Sequence, residues 1–223
     1  ENVNNVKDKL FSIVSHDLRG PVGSTFNLLK LMNENYDQLD NEAIKSRLQV
    51  LETNSRNVYR QVSNLLDWAK IQRKSITAEI QDLYVKDIFA DLSAQLSTSS
   101  DRKNISLHFD NQIEEPIKSD PNIIKAIISN LVFNSIKFSN KDSKIDISCF
   151  KCKTNSVCIS VKDYGIGIPQ ELADKLFVLD EDTHREGTNN EQGTGLGLII
   201  VKEMIEVIGG SIEVKSEEGE GTE

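Results

Sequence analysis

The sequence lacks any run approaching the roughly 18 consecutive apolar residues of a membrane span, and its N-terminus lacks the basic, apolar and small-residue order of a secretory signal. As given, the chain reads as soluble and cytoplasmic, a placement compatible with an inner-membrane anchor on a longer parent. A basic excess is also missing: 26 Lys and Arg stand against 35 Asp and Glu, for a formal net charge of −9. That balance disfavours bare nucleic acid and anionic membrane surfaces, which need a basic face, so a phosphate ligand must be held by local groups. Cysteines are few and odd in number: Cys149, Cys152 and Cys158. They sit in a segment with strand character, so free thiols in a reducing cytosol are expected rather than a disulfide framework. Cys149-x-x-Cys152 has no second Cys/His pair to complete a tetrahedral zinc site.

What is present is enough for two compact units. The 223 residues, 38% hydrophobic and 27% charged, exceed the usual single-domain size of about 100–150. Residues 1–72 have helical periodicity and a single proline, interrupted at 33–41 by a stretch rich in Asn, Asp and Gln, which predicts a helical hairpin. In its second helix Ile44, Leu48, Leu51, Ser55, Val58, Val62, Leu65 and Ala69 recur with 4-3 spacing, the seam of a coiled coil broken only by Ser55. In the first, the stripe Val3, Val6, Leu10, Ile13 shifts to Val14, Leu18, Val22 around Pro21. Proline removes a backbone bond and presses on the carbonyl of Asp17, so a kink beside His16 is expected. A second copy is the simplest cover for the seam, giving a homodimeric four-helix bundle, although the chain's own second domain would also cover part of it.

A polar linker over 73–81 leads to a second domain over 82–223. Helices are predicted near 84–97, 121–138, 170–177 and 196–208. Ile145, Ile147 and Cys149, then Val157, Ile159 and Val161, alternate with polar residues on either side of Thr154-Asn155, as in a half-buried hairpin. Ile212 and Val214 repeat the alternation. The mixed order predicts an α+β fold with helices on one face of a mainly antiparallel sheet.

Three constellations carry chemistry. Asp120-Pro121 reads as an N-cap followed by proline at the first helical position. On the helix it opens, Asn130, Asn134, Lys137 and Phe138 share one face, while Ile124, Ile128, Leu131 and Val132 face the core. Two carboxamides, an ammonium and a ring suit a metal, phosphates and a flat base. Asp163-Tyr164-Gly165-Ile166-Gly167-Ile168-Pro169 follows the second hairpin strand; its glycines let backbone approach a ligand, and Asp163 can accept a hydrogen bond from an exocyclic amine such as that of adenine. Gly193-Thr194-Gly195-Leu196-Gly197-Leu198 opens an apolar helix whose free N–H groups can hold phosphate oxygens. It lacks the Lys-Ser/Thr of a P-loop and opens no parallel βαβ unit, so neither a Walker nor a Rossmann reading fits. Residues 178–192, polar and acidic, read as a mobile lid.

These stretches resemble the boxes of sensor histidine kinases. Phe11-Ser12-Ile13-Val14-Ser15-His16-Asp17-Leu18-Arg19-Gly20-Pro21 resembles the phospho-acceptor box and 130–139 the N box. Asp163-Tyr164-Gly165-Ile166-Gly167 resembles the G1 box, Leu176-Phe177 the F box, and 193–197 the G2 box, all in the family's order. The resemblance implies a dimerisation hairpin joined to an ATP-binding α/β sandwich of the histidine kinase/gyrase type. It implies autophosphorylation and onward transfer to an aspartate of a response-regulator receiver domain. His16 would be the phosphate acceptor, reacting as a neutral imidazole, with Asp17 as general base. Asn134 would coordinate Mg²⁺ with Asn130 assisting, Lys137 would contact phosphates, Phe138 would pack near adenine, and Asp163 would bind its amino group. Gly165, Gly167, Ile168, Phe177, Gly193, Thr194, Gly195, Leu196 and Gly197 complete the implied ATP site.

Two features depart from the family. Gly20 stands where relatives often carry Thr or Asn, so no side chain there positions a water for phosphatase chemistry. The given chain stops at Glu223, where relatives add another strand. Other functions remain open at this point. A nucleotide-sensing dimeric scaffold would bind ATP without phosphohistidine. A gyrase, mismatch-repair or heat-shock-chaperone type ATPase needs a water-activating carboxylate near the N box, and no acid lies between Asn130 and Ser139.

Overall fold

The computed structural model describes residues 2–73, 77–152, 156–173, 175–178, 186–189, 191 and 195–223, with the side chains of 2–17 and 72 excepted. The chain divides into two compact units between Lys70 and Ile71.

The first unit is the expected hairpin. Helix α1 runs Asn2–Glu34 with Pro21 inside it, and a 3-10 turn at Tyr36–Gln38 falls in the predicted break. Helix α2 runs Asn41–Gln72. Asp40 opens it, its carboxylate accepting the Ala43 N–H at 2.7 Å, which satisfies one of the donors a helix start leaves without a partner. Among the described residues no helix is long and apolar enough to cross a membrane.

The second unit is an α+β layer structure. Strand β1 (Gln81–Leu83) pairs antiparallel with β3 (Ile117–Ser119) in a small sheet. The main sheet holds β2 (Ser106–Asn111), β4 (Lys144–Lys151), β5 (Val157–Asp163), β7 (Gly221–Thr222) and β6 (Ser216–Glu217), in that spatial order. It is mainly antiparallel as expected, with one parallel pair, β2 on β4. On β4 the alternation is sharp: Ile145, Ile147 and Cys149 are fully buried while the intervening residues are half-exposed. Helix α3 (Val85–Asp101) and helix α4 (Pro121–Phe138) cover that face, with Leu92, Leu96, Ile128 and Val132 in one cluster with the β4 residues. Short α5 (Gln170–Ala173) follows, and α6 (Leu196–Val207) packs on α4.

Four expectations need correction. Ile212 and Val214 do not form a strand; ladder pairing starts at Lys215, which exchanges both backbone bonds with Glu223 at 2.9 and 2.8 Å. The helix expected over 170–177 ends at Ala173, and Lys175 to Phe177 continue as turns. Leu131 is half-exposed, and the core side of α4 instead includes Ile123, Ile127 and Ile136, because α4 is covered by α6 as well as by α3 and the sheet. Lastly, Cys152 and Cys158 are joined in a disulfide. The β4–β5 hairpin brings their Cα atoms to 5.8 Å, within bridging reach, which a count of cysteines does not reveal. Cys149 stays free, and burial pushes its thiol up to about 11, so it acts as a small core residue.

Candidate nucleotide site

Helix α4 begins as its sequence announces. The Asp120 carboxylate accepts the N–H groups of Asn122 and Ile123 at 2.8 and 3.1 Å, ahead of Pro121. Its other oxygen accepts the Glu79 N–H at 2.9 Å, tying the segment before β1 to the helix start. With one side of α4 held in the core, Asn130, Asn134, Lys137 and Phe138 are all left half-buried. The Asn130 amide donates to the Ala126 carbonyl at 2.9 Å, which fixes the direction of its oxygen. The Lys137 ammonium lies 4.7 Å from the centre of the Phe138 ring.

The N-terminus of α6 meets this face. Gly195 is its N-cap with φ +66°, and a glycine has no side chain with which to cap the helix. A side chain at Gly197 would start 3.5 Å from Asn130 Oδ1 and 3.9 Å from Asn134 Nδ2. Glycine here keeps the helix start and the two carboxamides adjacent. Leu196 is fully buried and its side chain anchors the turn in the core.

Asp163 closes β5 and is 5% exposed. Oδ1 accepts the N–H groups of Gly165 and Thr222 at 3.0 and 3.2 Å. Burial raises the pKa of this carboxyl above its ordinary value, opposed by the hydrogen bonds from Gly165, Ser135 and Thr222. Ser135 therefore links α4 to the acidic end of β5. Sequence reading passed over it because it lies on the core side of the N-box helix. A buried carboxylate held by several donors at the rim of a polar face is well suited to accept from an amine.

The glycines of 163–168 let the loop approach backbone closely. A Cβ on Gly165 would press on the Phe138 carbonyl group, 2.8 Å from its carbon, and Gly167, at φ +64°, packs on the backbone of Glu217. Both allow the loop to nest against the protein's own chain. Ile166 N–H bonds the Phe138 carbonyl at 3.1 Å and Ile168 N–H the Ser216 hydroxyl at 2.8 Å. Phe177 lies half-buried in the turns after α5.

The side chains of His16 and Asp17 lie outside the described residues, as do Gly193, Thr194 and most of the expected lid. The Thr154-Asn155 turn is also outside them.

Comparison with known proteins extends the likeness over the whole chain. Residues 119–223, which hold α4, the Asp163 loop and α6, match the family of histidine kinase-, DNA gyrase B- and HSP90-like ATPases. Full-length similarity runs to an uncharacterised sensor-like histidine kinase of Rhizobium meliloti, 28% identical over 100% of this chain and 42% of the relative. The family match covers the part of the second unit that holds these residues, and the likeness to sensor histidine kinases runs the length of the chain. Its second unit is similar to the solved catalytic domain of the histidine kinase ThkA, at 29% identity and a TM-score of 0.54, covering 65% of this chain and 91% of that domain. The ThkA structure solved with the response regulator protein TrrA shares the fold over 99% of this chain and 61% of that chain, at 22% identity and a TM-score of 0.68. The chain spans 42% of the length of the Rhizobium relative.

Proposed function

We propose that the chain binds Mg-ATP between α4, the Asp163 loop and the start of α6, and moves the γ-phosphoryl group to His16. A ring nitrogen of His16 attacks γ-phosphorus, the bond to the β–γ bridging oxygen breaks, ADP leaves, and Asp17 takes the imidazole proton. Asp163 receives the adenine amino group, Lys137 meets phosphate oxygens, Phe138 flanks the base, and the N–H groups at the start of α6 hold phosphate. The observation that carries this reading is Asp163, a buried carboxylate at the end of a polar helix face, with Gly197 set against Asn130 and Asn134.

The donor set fits a magnesium ion. Among the described residues no cluster of three or more His, Cys, Asp or Glu could hold a metal. Mg²⁺ accepts one or two protein oxygens and completes its shell with phosphates and water, and the carboxamide of Asn134, with Asn130 one turn before it, supplies that number. Bound there, it would neutralise phosphate charge.

Onward transfer to a receiver aspartate on a response regulator is supported by ThkA, which was solved with one. Dimerisation is supported by the apolar surface the hairpin leaves open, including Phe26 at 66% and Leu48 at 53% exposure. The test is incubation with γ-labelled ATP and Mg²⁺ followed by mapping of the modified residue. Acid-labile label on His16, absent in His16→Gln, is expected; label persisting in that variant would overturn the acceptor assignment.

A further inference from the structure

The final carbonyls of a helix have no partner within the helix, and those of α4 are taken by separate parts of the chain. Ile136 O accepts the Lys103 ammonium at 2.9 Å. Lys137 O accepts the same ammonium at 2.8 Å and the Thr188 N–H at 3.1 Å, and Phe138 O accepts Ile166 N–H. Lys103 follows the end of α3 and is only 3% exposed. A buried ammonium is costly unless paired, and this one also meets Thr188 Oγ1 at 2.8 Å and Glu191 Oε1 at 2.7 Å, with Ser139 O at 3.4 Å. Its three donors are thus divided among α4 and the 186–191 stretch, and its charge sits at the negative end of the helix.

The stretch on the other side is equally well tied. Thr188 Oγ1 donates to Ser139 O at 2.6 Å, Gly187 N–H to Glu191 O at 2.9 Å, and Asn189 N–H to Glu191 Oε2 at 2.8 Å. A Cβ on Gly187 would fall 2.8 Å from Lys137 O, so only glycine allows this approach. All these contacts converge on the turn that carries Lys137 and Phe138.

We infer that Lys103 is a positioning residue for the nucleotide: it locks the end of α4 to Thr188 and Glu191 and so fixes where Lys137 and Phe138 stand. The inference rests on the ATP reading above, since those two side chains are assigned there to phosphate and base. Lys103 itself touches no ligand. Without its ammonium, the carbonyls of Ile136 and Lys137 and the Glu191 carboxylate lose a shared partner, and the turn loses its frame.

The test compares Lys103→Met, Thr188→Val, Glu191→Gln and the double variant Lys103→Met/Glu191→Gln in the whole chain. The measurements are phosphorylation rate against ATP concentration, exchange of the Thr188 amide, and melting temperature. Lys103→Met should raise the KM for ATP about 10- to 100-fold, with a smaller effect on kcat, and unprotect the Thr188 amide. The two single changes on the far side should raise KM about 3- to 10-fold, and the double variant should be no worse than Lys103→Met alone. A folded Lys103→Met with wild-type KM and a protected Thr188 amide overturns the inference. If that variant does not fold, Thr188→Val and Glu191→Gln decide, and wild-type KM in both overturns it. Failure of the unaltered chain to bind a non-hydrolysable ATP analogue with Mg²⁺ sinks the nucleotide reading first and this inference with it; a purely structural Lys103 would instead lower the melting temperature and leave KM alone.

Discussion

The two units solve the problem of burying apolar surface in opposite ways. Among the described residues of the first unit, which ends at Lys70, Leu51 is the one buried hydrophobic residue, while Phe26, Leu29, Leu31, Leu48, Tyr59 and Leu66 face outward, Tyr59 with 75% of its surface exposed. Two helices have too little inner surface to bury a two-sided stripe, which is why we propose a partner for the hairpin. The nucleotide unit closes a core of its own from α3, α4 and the sheet, and keeps only one polar face of α4 half-open. A seam meant for another chain and a core meant for itself use the same residue types, and exposure in the single chain separates them.

The sharpest way to break that contrast is to remove a large side chain from each. Leu92 is fully buried, so Leu92→Ala should cost about 3–4 kcal/mol in denaturant unfolding. Leu48, 53% exposed, should cost under about 0.5 kcal/mol in a dilute monomer when changed to Ala, yet raise the dimer dissociation constant about tenfold in sedimentation. Equal losses at both positions under dilute conditions would mean that the hairpin owns a core after all.

A second test sets stability against binding within the nucleotide unit. Asp163→Asn keeps shape but turns one acceptor oxygen into a donor, and nucleotide affinity should fall about 10- to 100-fold by calorimetric titration. Stability should move the other way. The folded carboxyl has a pKa raised by burial above its ordinary value of about 3.9, so the folded state holds the proton longer than the unfolded one. Its contribution is most favourable below the unfolded pKa and declines as pH rises through the folded one. The wild type should therefore lose stability relative to Asp163→Asn across that window and hold the deficit at neutral pH. A difference between the two melting curves that does not vary with pH would show that the carboxylate is fully compensated by its donors.

The same contrast explains how much the sequence could reveal. Local signals were sufficient for α4, whose bounds Pro121–Phe138 follow from the Asp120 cap and the apolar period, and for the β4–β5 hairpin with its alternation. They were sufficient for the face holding Asn130, Asn134, Lys137 and Phe138, because helical spacing alone places those residues together. Contacts made across the chain left no such mark. Lys103 and Thr188 are 85 residues apart, and a lysine after a helix end looks like any solvated charge until three carbonyls gather around it. Gly165 and Gly167 were rightly marked as close-approach positions, but what approaches is the backbone of Phe138 and Glu217, far away in sequence. The Cys152–Cys158 bridge depended on a hairpin register, and Ile212 and Val214 on a partner strand, neither of which composition encodes.

The smallest expected effect compares two ion pairs of nearly equal length. Arg56 meets Glu52 one turn earlier on α2 at 2.6 Å, with both side chains 55% exposed, whereas Lys103 meets Glu191 at 2.7 Å from a site 3% exposed. Water screens the first pair, and holding two long side chains costs entropy, so Arg56→Ala should shift stability by under about 0.5 kcal/mol. Raising the salt should erase even that difference. The melting temperature of Arg56→Ala at low and high salt, measured at a concentration where the chain is dimeric, reads this directly. A loss above about 1 kcal/mol that persists in high salt would mean that this face of α2 is shielded from water in the assembly, and the seam assigned to the partner helix would have to be redrawn to include it.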